Sequence, residues 1–167
     1  MSRKATGLAC ILALLILVGF ALAAGGGRPA TAAPASGPAT GWTIHIDAQK
    51  HFTDHPSEWA HHWCKAVAAG MFECQIYSSD KPDAQMVGVE TIVGPDVYKA
   101  FAPEEQAKWH YHKTEIPKVN AKLPGMSAAD QKKLVAQMMP TYGKVYILWD
   151  PMTSKTPIGD PTLTILK

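Results

Sequence analysis

The first 41 residues confine where this chain can fold. Between Gly7 and Ala24 there is no charge, and Arg3 and Lys4 stand just ahead of that apolar run. A positive start, an apolar core from Ile11 to Phe20 and the small-residue end Ala21-Leu22-Ala23 match the regions of a secretory signal. Residues 1–24 are therefore expected to direct export, with cleavage after Ala23 or Ala24. The alternative is an uncleaved anchor, because about 18 apolar residues are just enough to span a bilayer. Cys10 precedes the apolar core, which excludes a lipoprotein arrangement. Residues 25–41 are Ala, Gly, Pro, Ser and Thr with Arg28 as the single charge. Such a stretch cannot bury enough side chain to offset its ordering entropy, so it is expected to be a flexible linker. The folded domain has to be built from residues 42–167.

About 125 residues is an ordinary size for one core. With 47% hydrophobic and 18% charged residues there is apolar material for one core, and the 167-residue chain is too short for two ordinary domains. The 13 Gly have no period and there are three Cys, which excludes collagen-like and disulfide-rich classes. Once Arg3 and Lys4 are set aside, the 16 basic residues fall to 14, matching the 14 acidic ones. No nucleic acid partner is expected from that balance, and no polybasic membrane patch is present. All seven His lie beyond the signal, as do Cys64 and Cys74. Export implies an oxidising compartment, where those two Cys can pair; spacing alone leaves the pairing open.

Thr43 to Asp47 alternates and reads as a first strand. His55-Pro56-Ser57-Glu58 has the form of a helix start, and Trp59, Trp63, Ala66 and Val67 follow at three- and four-residue spacing up to Gly70. The expectation is a first helix there. Met71 to Tyr77 and Gln85 to Val93 alternate on either side of the turn-rich Ser78–Asp83, predicting an antiparallel hairpin. Gly94-Pro95 breaks the chain before two short helical segments, Asp96–Phe101 and Pro103–Lys108. Trp109 to Ile116 reads as a strand stopped by Pro117. Ser127 and Asp130 form a capping pair for a helix that should run to about Met139, ahead of Pro140. Lys144–Trp149 and Thr162–Leu166 are expected as final strands. The fold class that follows is α+β, a single domain with a mainly antiparallel sheet and helices packed on it.

The chemistry-bearing residues are clustered histidines. On a strand, His110 and His112 share a face and can point at one centre. On the expected helix, His61 and Cys64 share a face, while His62 lies with Glu58 and Ala66. Imidazole and thiolate suit zinc, copper or iron, and His62, His61 or Cys64 would complete such a site. Glu90 interrupts an otherwise apolar strand, so a buried carboxylate there needs a partner. The candidate metal ligands are thus His62, His110, His112, Cys64, Glu90 and His61. The bland reading of each His is a core or solvated side chain hydrogen-bonded to backbone. His45, His51 and His55 lack mutual spacing and read as surface residues. Glu115, three after His112, faces away from both His residues on a regular strand. No phosphate loop, G-x-S-x-G elbow, H-E-x-x-H pair or C-x-x-C motif occurs, and no catalytic constellation stands out.

Five motifs in order carry a family resemblance: His61-His62-Trp63-Cys64-Lys65, Glu73-Cys74-Gln75-Ile76-Tyr77-Ser78-Ser79, Val87-Gly88-Val89-Glu90, Trp109-His110-Tyr111-His112-Lys113-Thr114-Glu115, and Tyr142-Gly143-Lys144-Val145-Tyr146 with Trp149. From about Trp42 to Lys167 the chain resembles the oil body-associated protein family, whose plant members associate with seed lipid droplets and whose bacterial and fungal members largely lack an assigned activity. The resemblance carries the family's His-His-x-Cys onto His61, His62 and Cys64, its next Cys onto Cys74, and its Trp-His-x-His onto Trp109, His110 and His112. Its Gly-hydrophobic-Glu falls on Gly88, Val89 and Glu90, with Thr91 where an aromatic is usual. Intracellular plant relatives carry both cysteines as well. The export signal sets this chain apart as an exported, bacterial-type member, periplasmic or extracellular, that would not meet cytosolic droplets. Three functions follow as expectations. The first is an exported domain binding a transition metal (zinc, copper or iron) or another small ligand through its His cluster. The second is a lipid- or hydrophobe-binding envelope protein, and the third is a metal-dependent enzyme.

Overall fold

In the computed structural model the described residues are Pro38 and residues 40 to 166. The export signal expected over 1–24 and all of the expected linker except Pro38, Thr40 and Gly41 lie outside them.

Among the described residues seven strands, every pair antiparallel, form one sheet: β1 (Ile44–Ala48), β2 (Ala60–Ala66), β3 (Phe72–Tyr77), β4 (Met86–Val93), β5 (His110–Tyr111), β6 (Tyr142–Ile147) and β7 (Thr162–Thr164). Their order across the sheet is β1-β2-β3-β4-β6-β5, with β7 also paired to β6. β5 and β7 share that outer edge of β6, β5 opposite Tyr142 and Gly143 and β7 opposite Val145 to Ile147. Among the described residues four short α-helices interrupt the strands: α1 (Pro95–Lys99), α2 (Pro103–Gln106), α3 (His112–Glu115) and α4 (Ala128–Met138). The α+β class with a mainly antiparallel sheet is as expected, and so are the β3–β4 hairpin and the capped α4, where Ser127 Oγ accepts from the Asp130 N–H at 3.2 Å.

The first helix expected between His55 and Gly70 is not formed. Residues 60–66 are a strand, because Ala60, His62 and Cys64 are buried while His61, Trp63 and Lys65 are less so, an alternation of period two. Full hydrogen-bond ladders to β1 on one side and β3 on the other hold it there. A three- and four-residue apolar spacing was also present, and tertiary pairing decided between the two periods. The strand expected over Trp109–Ile116 is likewise shortened. In the antiparallel register His112 would face Thr141, which still belongs to the turn between α4 and β6. One ladder bond forms there, His112 N–H to Thr141 O at 3.1 Å, and the chain then turns into α3.

One sheet face carries the core. In one cluster Phe52, Ala60, Ile76, Val87, Val145, Ile147 and Trp149 are buried together; in the other, Cys64, Cys74 and Ile92 are packed by Ile44, Ile46, Phe72 and Met138 of α4. Ile76, Val87 and Val145 are fully buried, and each contributes roughly 1.5–3 kcal/mol by the usual transfer scale. Cys64 and Cys74, opposite one another on β2 and β3, form a disulfide within the second cluster. Backbone bonds between Asp47 and Lys122 at 2.9 and 2.8 Å lay residues 119–122 along the free edge of β1. That places the 112–122 segment at the inner face, beside the polar side chains buried there.

Candidate metal centre

Glu90 sits mid-sheet on the buried face, opposite Cys74 on β3 and Val145 on β6. A carboxylate there, 7% exposed, requires partners. They are histidines brought from three parts of the chain. His110 enters from β5, opposite Gly143; His112 opens α3; His62 lies on β2, one row over, opposite Ile76. Glu90 Oε1 is 3.5 Å from His110 Nε2 and 3.3 Å from His112 Nε2, and its Oε2 is 3.7 Å from His62 Nε2. At 3.5 Å the His110 contact is a charge attraction and not a formed hydrogen bond, and neither ring nitrogen of His110 has a hydrogen-bond partner.

Two further residues belong here that the sequence reading assigned elsewhere. Glu115 does not face away from the histidines. Because His112–Glu115 is a helical turn, i and i+3 share a side, and Glu115 Oε2 stands 3.7 Å from His110 Nε2 and 3.8 Å from His112 Nε2. His51 is not a surface residue: it is 2% exposed, in the loop after β1, with its Nε2 3.1 Å from His62 Nε2. The His112-x-x-Glu115 spacing ahead of Pro117 is compatible with a helical turn and could have flagged Glu115. Nothing in the irregular stretch around His51 marks it, apart from the apolar Phe52 beside it.

The ring orientations are set from outside the cluster. Thr141 donates its hydroxyl proton to Met138 O at 2.7 Å, so its oxygen accepts from His112 Nδ1–H, also at 2.7 Å. His62 Nδ1–H donates to Ala60 O at 3.1 Å and Ile46 O at 3.2 Å, and His51 Nδ1–H donates to Gln49 O at 3.0 Å. Each of these rings therefore turns Nε2 inward, the arrangement in which outer hydrogen bonds hold metal-binding imidazoles. Glycine at 143 makes room. A Cβ there would stand 2.5 Å from His110 Nε2 and closer still to Glu90 Oε1.

Burial and charge act against one another across the cluster. Burial pushes the Glu90 carboxyl up, but the facing His110 and His112 rings outweigh it and hold the group well below the carboxylate range. Burial would lower His110, yet Glu90 pulls it above the ordinary imidazole value. Burial raises Glu115 against the opposing pull of His110 and His112. Burial lowers His62, and burial together with the His62 ring pushes His51 down to about 3. The anionic Glu90 is thus met by inward Nε2 atoms, and positive charge, as a proton on His110 or as a cation, is what this group of side chains favours.

The donor set fits a transition metal. Donors about 2.0–2.2 Å from a tetrahedral ion lie about 3.3–3.5 Å from each other, and the contacts at Glu90 Oε1 are 3.3 and 3.5 Å. One donor atom from each of Glu90, His110 and His112 falls within 4.8 Å of the others. A cavity of about 40 Å³ lined by Glu90 and His112, together with His51, His62 and Glu115, has room for an ion and a water. Of the six ligands expected, the fold brings together His62, Glu90, His110 and His112. Cys64 is bonded to Cys74, so it offers no thiolate. His61 is on the opposite sheet face, where Asp47 Oδ1 accepts from its Nδ1–H at 2.7 Å and lies 2.9 Å from His45 Nε2. His45 in turn stacks on Trp63 with ring centroids 4.4 Å apart, so it too is packed and not a free surface group.

Residues 37–166 match the family described as "Protein of unknown function (DUF1264)". The chain belongs to that family. It is similar to oil body-associated protein 2B of Zea mays, 33% identical over 106 residues covering 63% of this chain and 42% of the relative. It is also similar to oil body-associated protein 1B of Arabidopsis thaliana, 33% identical over 105 residues, 62% of this chain and 44% of the relative. The chain thus spans under half the length of these relatives. No solved structure matches it.

Proposed function

We propose that this DUF1264 domain binds a transition metal ion through Glu90, His110 and His112, with Glu115 available as a fourth ligand, in an exported protein. The observation that carries the reading is the ring of His112. Its Nδ1 proton is committed to Thr141, so its Nε2 faces a carboxylate oxygen at 3.3 Å, beside a His110 whose ring nitrogens have no hydrogen-bond partner. Two electron-rich atoms at that distance repel unless a proton or a metal cation lies between them, and the pocket of buried donors around them is one a metal cation can fill. A nitrogen and oxygen donor set without thiolate suits zinc, iron or copper. A bound ion with an open position would polarise a coordinated water or carbonyl.

Export, expected from residues 1–24, is part of the same proposal, and the disulfide agrees with it. Enclosing a lipid chain within the domain, a reading the names of the plant relatives bring to mind, has less support in this chain. The apolar cavity beneath α4 is about 30 Å³, too small for an acyl chain. The experiment is elemental analysis of the purified protein beside the His110→Ala/His112→Ala double variant. The expected result is near-stoichiometric metal in the first and its loss in the second. Protein without metal, and without a rise in melting temperature on adding zinc, iron or copper, overturns the reading.

A further inference from the structure

Two buried histidines in the cluster are not used by the centre just described. His51 and His62 face one another through their Nε2 atoms at 3.1 Å, with rings edge to face. A backbone carbonyl can only accept, so the bonds from Nδ1 to Gln49 O, and to Ile46 O and Ala60 O, assign the Nδ1 proton in each ring. In their neutral forms both rings then present a lone pair to the other across 3.1 Å, which is a repulsive contact. A shared proton or a metal ion resolves it. Both rings are 2–3% exposed, and the carbonyls that hold both Nδ1 protons leave the two Nε2 atoms facing one centre. Beside the pair, Glu90 turns its second oxygen to His62 Nε2 at 3.7 Å, while its first faces His110 and His112.

We infer that His51, His62 and Glu90 Oε2 form a second metal position, so that Glu90 bridges two ions with one carboxylate oxygen directed to each. This rests on the reading of Glu90, His110 and His112 as the first position. The ligand class is a divalent transition metal of the kind imidazole and carboxylate share, and two adjacent ions clamp an oxygen substrate or a bridging water between them.

The test is a titration of the full chain, stripped with a chelator, with zinc, measuring bound ion per chain after desalting. About two equivalents are expected for the wild type and about one for His51→Ala. His51→Gln, closer in size, serves as the second variant and is expected to bind one. A wild-type stoichiometry of one that both variants keep overturns the second position and leaves the first standing. Two equivalents that persist in the His51 variants place the extra ion elsewhere on the chain and overturn it equally. No bound zinc in any form defeats the first position and the bridge with it. If neither variant folds, as judged by near-ultraviolet circular dichroism, the wild-type count together with His62→Gln decides by the same criteria.

Discussion

Gly143→Ala tests whether the buried cluster is assembled as described. Position 143 has ordinary negative-φ backbone, so alanine is conformationally allowed there. In a strand at such a site the substitution should stabilise by about 0.4–1 kcal/mol, through lower entropy of the unfolded chain. The cluster reverses that sign. The new methyl would lie 2.5 Å from His110 Nε2 and 2.7 Å from His110 Cε1, as well as against Glu90 Oε1, and both side chains are buried. Relieving contacts of that kind in a packed interior costs about 1–3 kcal/mol. The balance is a loss of about 1–2 kcal/mol, or roughly 3–10 °C in melting temperature for a domain of this size. Displacing Glu90 and His110 should also weaken metal binding by about 10- to 100-fold, the size seen when supporting groups of metal ligands are lost. Urea unfolding in chelator gives the first number and zinc titration the second. A variant as stable as wild type, or more stable, with unchanged zinc affinity refutes the placement of these side chains around Gly143.

Reduction of the Cys64–Cys74 disulfide, which closes a loop of separation 10, should lower stability by somewhat under about 3 kcal/mol on the loop-entropy scale, seen as a lower urea midpoint in dithiothreitol. Metal should stay bound under that treatment, since no thiolate is among the proposed ligands; its release from folded, reduced protein would contradict the nitrogen and oxygen donor set. At the partly exposed pair of Glu105 and Lys144, hydrogen bonds from Lys144, Lys108 and Trp109 hold the Glu105 carboxyl down to about 2. A depressed carboxyl stabilises the fold fully above its unfolded value near 4.3 and loses that contribution as pH falls toward 2. The urea midpoints of wild type and Glu105→Gln should therefore differ near about pH 6 and converge near about pH 2; a gap that does not narrow counts against the pair.

Local chemistry carried much of this architecture. The alternation of Phe72, Cys74 and Ile76 and the valine-rich run to Val93, separated by Ser78–Asp83, make a hairpin with no distant help. Ser127 and Asp130 mark the start of α4 because a capping bond spans only three residues. Ala60–Ala66 was not legible in the same way. Its apolar residues satisfy a helical and a strand period at once, and the choice belongs to β1 and β3, which supply ladders on both sides. That inversion also exchanged the roles of His61 and His62, since helix and strand sort neighbours onto faces differently.

Glu90, His62, His110 and His112 could be named from residue type alone, because imidazoles and a carboxylate embedded in apolar strands need partners or a ligand. Cys64 was equally plausible until its opposite number on β3 proved to be Cys74. His51 and Glu115 depended on geometry that no short window contains: a loop that returns beneath β2, and a strand that runs off the end of β6 and becomes a helical turn. Residue chemistry determined what kind of centre this chain can build. Which rings converge, and which nitrogen each turns inward, was decided by carbonyl and hydroxyl groups from distant segments, since hydrogen-bond direction exists only once those segments are packed together.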